Sequence, residues 1–351
     1  MSYKDIVRKN YTVEIEEPTL YVDNKSRHRS GHMSHAMAEF APGCFIDFNC
    51  SCSAVRWGGH SPYGWVEYRI SKDSGKTYSE VKTLPYSVEC FLDGVYMISV
   101  EKAVACDDGT IVAVCLRNDG TDPTCCEPWF SPMVVTSPDG GETWTEPVEM
   151  CPERGRSYDA VYKDGTIYVL HFCNEHFLGC KPEHQYKIFA STDNGKSFRE
   201  HCVIPFDTTR RGYGSILFDE NGRLHAYAYN ESAETEMDHA ISDDCGKTWT
   251  VLKPCHLEKG IRNPQSGLVD GVYVLHGRSS ERKTFVLYTS EDGTNWDEGT
   301  YIAETPKPVG QYYSNNLNLK DEKGNFLLIQ YSESYDDHKV NIKHLKLRIK
   351  K

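Results

Sequence analysis

The sequence predicts an all-β fold, a six-bladed β-propeller whose blades are four-stranded antiparallel sheets with turns of one recurring type. Three observations predict this fold. A turn motif occurs five times, a hairpin with a central glycine occurs six times, and successive copies of the motif are 48 to 66 residues apart. Such a spacing suits one four-stranded blade per copy.

The turn motif reads Ser, any residue, Asp, any residue, Gly, any residue, Thr or Ser, and then an aromatic residue. The Asp side chain can accept bonds from nearby backbone amides, and the Gly can adopt a positive φ. We expect the aromatic side chain to pack under the sheet. The copies begin at Ser71, Ser137, Ser191, Ser242 and Ser290, and the fifth copy is one residue shorter than the others.

Each space between motifs holds an apolar strand, a glycine-containing turn and a second strand, which predicts one hairpin per blade. The turn glycines are Gly43, Gly109, Gly165, Gly222, Gly271 and Gly324. The sixth blade lacks the motif. We expect the alternating segment 11–15 to complete it beside residues 340–349, because a ring of blades must close on itself. No Pro/Gly/Ser-rich linker interrupts the chain, so a single domain spanning residues 1–351 with few helices is expected.

Composition and charge exclude several classes of protein. The chain has 51 acidic and 39 basic residues, a net charge of −12, which disfavours binding to nucleic acid or anionic membranes. No apolar run is long enough to cross a membrane. The first five residues contain no apolar signal core, so we expect a cytoplasmic protein.

Cysteines and histidines are the possible metal ligands. Cys50 and Cys52 are separated by one residue, and Cys125 and Cys126 are adjacent, but neither pair has the CxxC spacing of a structural zinc site. The alternative for these cysteines is buried, reduced thiols. His32, His35, His60, His171 and His176 could form a metal site or an acid/base set, although no HxH or HExxH spacing is present. We expect no metal and no cofactor.

Five such motifs on a six-bladed ring resemble the sialidase (neuraminidase) superfamily, in which the motif is called an Asp box or BNR repeat. The resemblance implies a funnel where the innermost strands begin. It implies three arginines that bind a carboxylate, an Asp acid/base, and a Tyr nucleophile activated by Glu. By this resemblance Arg282, eight residues before Ser290, corresponds to the third arginine. Tyr313 corresponds to the nucleophile, and Glu333 lies where the family often has its Tyr-Glu pair.

The chain departs from the family pattern at the other positions. His32-Met-Ser-His35 stands where the first strand should carry Arg-Ile-Pro, and the loop 57–63, which should carry the acid, has no carboxylate. Tyr213 lies near the position of the family's partner Glu, and residues 230–232 lie near that of the second arginine. The resemblance therefore implies a divergent branch that uses other groups or cleaves another sugar.

The turn glycines also define equivalent positions in the six blades. Residues eight to eleven positions before them begin the inner strands, and residues after the turn end the second strands at the same face. Six arginines are expected to converge there and to bind a carboxylate, sulfate or phosphate, although each could instead form a surface salt bridge. The expected ligand-binding residues are Arg117, Arg156, Arg211, Arg262, Arg278, Arg282, His32, His35, Tyr213 and Tyr312.

Cleavage of a glycoside needs a proton donor and a group that attacks or activates water. The candidate donors are Glu101, Asp159 and Glu175, and Asp159 could instead be paired with Arg156. Tyr313 can attack as a phenolate if Glu333 or an arginine lowers its pKa. The alternative role of Tyr313 is a stacking platform for a sugar ring.

The sequence thus predicts an exo-glycoside hydrolase, similar to sialidases, that cleaves a terminal acidic sugar from a small oligosaccharide. Two alternatives stay open. One is a propeller that binds glycans without turnover, and the other is a hydrolase or lyase that acts on oligosaccharides containing uronic acid. The oligomeric state is not predicted.

Overall fold

Six antiparallel sheets follow one another along the chain in the computed structural model and form the blades of a β-propeller. The structure describes residues 5–122, 127–179, 183–305 and 311–351. The first long strand of each blade packs against its counterparts in the two neighbouring blades, and the sixth packs against the first, which closes the ring. The predicted fold class is confirmed.

Blades 2 to 5 are built from consecutive strands, numbered here by the predicted turns. Blade 2 consists of Tyr96–Ala105, Ile111–Asp119, Met133–Ser137 and Val148–Glu149. Blade 3 consists of Arg156–Lys163, Thr166–Cys173, Gln185–Ser191 and Arg199–Ile204. Blade 4 consists of Arg211–Phe218, Leu224–Asn230, Glu236–Ser242 and Thr250–Val251, with Cys255–His256 also paired to its third strand. Blade 5 consists of Arg262–Val269, Val272–Arg278, Thr284–Ser290 and Thr300–Glu304.

Blades 1 and 6 carry additional short strands. Blade 1 consists of Arg29–Ser30, Met37–Ala41, Cys44–Ser53, Gly64–Ser71 and Lys82–Thr83. Blade 6 consists of Ser314–Asp321, Gly324–Asp336, Lys339–Lys350 and the N-terminal strands Ile6–Val7, Thr12–Ile15 and Thr19–Val22. One α-helix, Pro85–Asp93, and one 3₁₀ helix, Arg56–Gly59, complete the described part of the chain. No helix among the described residues is long and apolar enough to cross a membrane.

The N-terminal strand closes the ring as expected. Val13 pairs with Ile349 in an antiparallel ladder, and both side chains are buried in an apolar cluster between blades 5 and 6. Because the two ends of the chain lie in one sheet, closure depends on contacts between residues more than 300 positions apart. The six turn glycines all have positive φ, from 73° at Gly43 to 117° at Gly324, which explains why glycine recurs there.

The four full-length copies of the motif share two hydrogen bonds, one to the Asp carboxylate from the amide four residues later and one to the Ser hydroxyl from the Gly amide. In the second copy Asp139 Oδ1 accepts from the amide of Thr143 at 2.8 Å, and Ser137 Oγ accepts from the amide of Gly141 at 2.8 Å. The aromatic residue, Trp144, packs into the main apolar core and donates from Nε1 to the hydroxyl of Tyr68 in blade 1 at 3.1 Å. The motif thus joins neighbouring blades far from the central channel.

Candidate active site

The starts of the inner strands meet around one small cavity, which we call the central cavity. It has a volume of about 50 Å³ and lies at the entrance of the channel. The residues that line it include His32, His35, Glu101, Lys102, Arg156, Tyr158, Tyr213, Asn263, Gln265, Tyr313 and Asn315. Beyond Lys102 and Asn315 the channel continues into a space of about 350 Å³. A groove of about 690 Å³ beside Pro42 and Lys320 is larger, but no His, Tyr or Arg is among its lining residues.

Arg262 and Arg278 lie beside the central cavity and face each other in blade 5. Arg262 in the first strand of that blade pairs directly with Arg278 in the second strand. Arg278 is only 5% exposed, and its guanidinium lies 5.0 Å from the centre of the Tyr313 ring. Its Nη2 donates a hydrogen bond to Asn263 Oδ1 at 3.3 Å. Like charges placed opposite each other in a sheet are destabilising, so this pair favours binding of an anion.

The Arg262 guanidinium lies between two aromatic rings. It is 4.8 Å from the centre of the Phe177 ring and 5.5 Å from that of Tyr229. Glu234 is 3.9 Å away, at the limit of an ion pair, and is itself bonded to the Tyr229 hydroxyl. The Nε atoms of both Arg262 and Arg278 are buried without a hydrogen-bond partner in the described part of the chain.

Arg156, the third arginine at the cavity, is already paired. Its guanidinium binds Glu101 at 2.6 Å and lies over the rings of Trp129, Tyr158 and Tyr213. Burial opposes its charge, but Glu101 and the nearby phenols raise the pKa of Arg156 above its ordinary value. Arg156 therefore remains charged, and Glu101 neutralises it in part.

Tyr213 and Tyr313 form the other central feature, with hydroxyl oxygens 3.4 Å apart. Burial raises the pKa of Tyr313, but the charge of Arg278, the hydrogen bond from Tyr213 and the charges of Arg262 and Arg156 outweigh burial. The resulting pKa of Tyr313 lies below the usual value of 10.0. Burial and the neighbouring Tyr313 raise the pKa of Tyr213 instead. Such divergence within one pair is typical of groups with different protonation roles.

Two histidines extend the site outward from Tyr313. The His32 ring meets Tyr313 edge-on at 5.2 Å and stacks on His60 at 4.0 Å. Burial, together with His60 and the arginines, holds the pKa of His32 well below its ordinary value, and burial lowers the pKa of His60 to about 4. His35 bonds to Gln330 at 2.6 Å and to the His32 carbonyl at 3.0 Å. These rings are therefore neutral at pH 7.

The candidate acids occupy different environments. Glu101 lines the cavity, and its Oε1 is buried without a partner in the described structure. Asp159 is paired with Lys102 at 3.0 Å and accepts from Ser215 at 2.6 Å and from the Ile216 amide at 2.9 Å. Its ion-pair partner is thus Lys102, not Arg156. The alternative in which Asp159 pairs with Arg156 is therefore not formed, because the Arg156 guanidinium pairs with Glu101.

Glu175 and Glu333 lie outside the described lining of the cavity. Glu175 is partly exposed and pairs with Arg154 at 3.2 Å. Glu333 pairs with Lys343 on the next strand, and its described contacts do not include Tyr313. Of the groups considered for lowering the pKa of Tyr313, the arginines do so, Arg278 most strongly.

Several other candidate ligands also have partners or positions away from the cavity. Arg117 donates to the carbonyl and hydroxyl of Ser131, and Arg211 pairs with Asp238 at 2.5 Å. Arg282 is exposed in a turn with φ of 61°, four residues beyond the buried Arg278. Tyr312 is fully buried and stacks on Phe285 in the apolar core of blades 5 and 6.

Four further residues that the sequence did not indicate contact the site, namely Tyr158, Phe177, Tyr229 and Asn263. Tyr158 is two residues after Arg156, so the alternation of a strand indicates the same face. Tyr229 is the next-to-last residue of the second strand of blade 4, and it follows Gly222 by seven positions, as Arg278 follows Gly271 in blade 5. Phe177 lies on a loop, and no repeat position indicates its contact with Arg262.

The positions of the possible ligands in the described structure do not support a metal site. Among the described residues, no three His, Cys, Asp or Glu side chains are grouped so that they could hold a metal ion. Cys50 and Cys52 are buried neighbours, with Cys50 Sγ 3.0 Å from Ser34 Oγ. Cys125 and Cys126 lie outside the described residues.

Comparison with solved structures defines the class of fold. A protein of unknown function from Dyadobacter fermentans superposes with a TM-score of 0.72 at 16% identity, covering 96% of this chain and 99% of that one. A Hadza microbial sialidase gives 0.66 at 14% identity, covering 94% and 68%. Trypanosoma rangeli sialidase gives 0.63 at 12% identity, covering 95% and 59%.

The chain therefore has the six-bladed propeller fold of sialidases, and the resemblance seen in the sequence is confirmed for the fold. No family model matches the sequence. No curated protein matches it either. One structure of Trypanosoma rangeli sialidase holds difluorosialic acid as a covalent intermediate, with a TM-score of 0.61 to this chain at 12% identity.

Proposed function

We propose that this protein is a sialidase-like exo-glycoside hydrolase that removes a terminal acidic sugar, a sialic acid or a related sugar, from oligosaccharides. The observation that carries the proposal is the pair Arg262 and Arg278. Both are largely buried and directly opposite each other in the sheet; Arg278 has no ion-pair partner among the described residues, and Arg262 has only Glu234, at 3.9 Å. Guanidinium groups bind carboxylates through two parallel hydrogen bonds, so the sugar carboxylate supplies the missing negative charge.

Tyr313 is the proposed nucleophile. Its lowered pKa increases the fraction of phenolate, and the arginines stabilise that phenolate as well as the sugar carboxylate. In the first step the Tyr313 oxygen bonds to the anomeric carbon, and the bond from that carbon to the leaving oxygen breaks. A phenolate repels the sugar carboxylate less than a carboxylate nucleophile would, because its charge is spread over the ring. Water then cleaves the tyrosyl bond and releases the sugar.

Glu101 is the proposed proton donor to the leaving oxygen, because it is the one candidate acid that lines the cavity with Tyr313. Its unpartnered Oε1 is available, while its Oε2 is bound to Arg156. The same residue accepts a proton from water in the second step.

A second candidate, elimination on a uronic-acid-containing oligosaccharide, is favoured by the Tyr213–Tyr313 pair. In this reaction the arginines neutralise the uronate carboxylate, and the Tyr313 phenolate removes the proton on the carbon beside it. The electron pair forms a carbon–carbon double bond, the bond to the leaving oxygen breaks, and Tyr213 protonates that oxygen. This reaction needs no protonated carboxyl group.

Turnover of defined substrates separates these reactions from simple glycan binding. Purified protein is incubated with a fluorogenic sialoside and with oligogalacturonate, and products are followed by fluorescence and by the ultraviolet absorbance of an unsaturated sugar. Release from the sialoside that is lost in Tyr313→Phe supports the hydrolase. An unsaturated product supports elimination. Binding of either sugar without any product contradicts both reactions and leaves a glycan-binding propeller.

The remaining expectations belong to the same proposal. We propose that residues 1–351 act as one domain, that the protein is cytoplasmic, and that its substrates are short oligosaccharides or free glycosides. Fractionation of cells that express the protein tests its location, and limited proteolysis tests the domain assignment. Recovery with the membranes contradicts the expected location, and cleavage into two or more fragments that each remain folded contradicts the single domain.

A further inference from the structure

Four aromatic rings form a continuous row from the central cavity to the surface. The row begins with Tyr313 and His32, whose ring centres are 5.2 Å apart. His32 stacks on His60 at 4.0 Å, and Trp57 meets the edge of His60 at 5.0 Å. The first three rings are buried or partly buried, whereas Trp57 is 45% exposed. An indole ring therefore lies at the surface three ring contacts from the proposed nucleophile.

The loop that carries Trp57 holds an unusual backbone conformation. Trp57, Gly58 and Gly59 all have positive φ, at 43°, 62° and 99°. A positive φ is unfavourable for a bulky residue, so the surrounding contacts must maintain it. An exposed tryptophan in a strained position gains little from burial, and this combination is typical of a residue kept for contact with a ligand.

Contacts on both sides fix this loop. At its start Ser53 Oγ accepts from the amides of Val55 and Arg56 at 3.2 and 3.1 Å. The Arg56 guanidinium lies 4.0 Å from the centre of the Tyr63 ring. On the other side Gly59 packs so closely on blade 6 that an added Cβ would lie 2.7 Å from Lys339 Cγ. The indole is therefore presented in a defined position.

We propose that Trp57 forms a subsite for the sugar ring next to the terminal acidic sugar, on the leaving-group side. The apolar face of that ring stacks on the indole, while the acidic sugar occupies the central cavity. This inference rests on the proposed function. It assigns an oligosaccharide, in which a second ring follows the acidic sugar, as the preferred substrate over glycosides with a small leaving group. The loop 57–63, where the family resemblance places the acid, has no carboxylate in this chain and supplies a binding surface instead.

The test compares two substrates that share the same acidic sugar. One is sialyllactose, whose leaving group is a disaccharide, and the other is the methyl glycoside of sialic acid. The variants are Trp57→Ala, Trp57→Phe and the control Val55→Ala, a change on the same loop at a residue that is 86% exposed. Released sialic acid gives kcat and KM for each substrate, and thermal unfolding checks that the variants are folded.

We expect Trp57→Ala to raise KM for sialyllactose by about tenfold, the size of one aromatic stacking contact. The methyl glycoside should be cleaved as by the parent protein. Trp57→Phe should retain most of the preference, and Val55→Ala should change neither substrate. An equal loss for both substrates, or no loss for sialyllactose, overturns the subsite and leaves the proposed hydrolase intact.

If both sugars bind but neither is cleaved, the same comparison is made with dissociation constants from calorimetry. Weaker binding of sialyllactose alone in Trp57→Ala then supports the subsite, and unchanged binding overturns it. If neither sugar binds nor is cleaved by the parent protein, the proposed function and the subsite are both overturned.

Discussion

Arg278 and Arg156 provide a pair of substitutions with opposite expected effects on stability. Arg278 is a buried cation that faces a second arginine and has no ion-pair partner within the described residues. Arg156 is equally buried, at 9% exposure, but binds Glu101. Methionine preserves much of the apolar stem of an arginine while it removes the charge. We therefore compare Arg278→Met with Arg156→Met.

The expected magnitudes follow from these partners. Removal of Arg156 leaves the buried carboxylate of Glu101 unpaired, which costs about 3–5 kcal/mol of folding free energy. Removal of Arg278 relieves its repulsion with Arg262 and loses one long hydrogen bond to Asn263, so stability should be unchanged or increased. Loss of its bond to an anionic ligand removes about 1.5–3 kcal/mol of binding energy, roughly a 10- to 150-fold weaker affinity.

Two measurements on each variant check this reasoning. Thermal unfolding at pH 7 without ligand gives the order of stability, and calorimetric titration with sialic acid gives the affinity. We expect Arg278→Met to melt at or above the temperature of the parent protein but to bind sialic acid more weakly. Arg156→Met should melt at a lower temperature. Strong destabilisation by Arg278→Met would refute the assignment of Arg278 as a ligand-binding cation, because it would mean that the fold depends on this charge.

Three further predictions concern the tyrosine pair, the histidines and the closure of the ring. Tyr213→Phe removes a hydrogen bond that lowers the pKa of Tyr313. The rise of kcat/KM with pH should therefore move to higher pH. An unchanged pH profile of kcat/KM counts against a role of Tyr213 in activating Tyr313. Five buried or half-buried histidines have pKa values of about 3 to 4, below the unfolded value of 6.5, so they bind protons on unfolding. Stability should accordingly fall as the pH drops from about 6.5 towards 4, and a flat profile in denaturant titrations is inconsistent with neutral, buried rings. These histidines are His35, His60, His171, His239 and His276. Val13→Ala, at a fully buried position, should lower the free energy of unfolding by about 2 kcal/mol. The control Val7→Ala, at a residue that is 74% exposed, should change it little. Equal melting temperatures for the two variants would argue against closure of the ring through Val13.

The fold was predictable because its determinants are local. Each copy of the turn motif makes its hydrogen bonds within seven residues, as Asp139 does with Thr143, and each hairpin turn is marked by its own glycine. Closure by the N-terminal strand was also predictable, since a ring needs a last partner and the segment around Val13 alternates. Because these short patterns repeat along the chain, their number predicted the number of blades.

The site was predictable only where it follows the repeat. The repeat position brought Glu101, Arg156, Tyr213 and Tyr313 to one cavity, because equivalent residues of a propeller lie at equivalent heights. It did not distinguish Arg278, which is buried at the end of a strand, from Arg282, which is four residues later in an exposed turn. That difference depends on the conformation of the turn rather than on spacing.

Contacts between blades were the other feature hidden from the sequence. The pairing of Asp159 with Lys102 joins residues 57 positions apart on different blades, and nothing in the local pattern favours Lys102 over Arg156. The position of Phe177 over Arg262 arises from a loop without a repeat. In both cases the partner is fixed by the packing of whole sheets.

We propose above that Tyr313, activated by the surrounding arginines, attacks an acidic sugar held in the central cavity. Labelling with difluorosialic acid, followed by intact-mass and peptide mass spectrometry, detects the covalent product of this attack. We expect one sugar adduct per chain, attached to Tyr313 and absent from Tyr313→Phe. An unmodified protein, or an adduct on a residue outside the cavity, would contradict it.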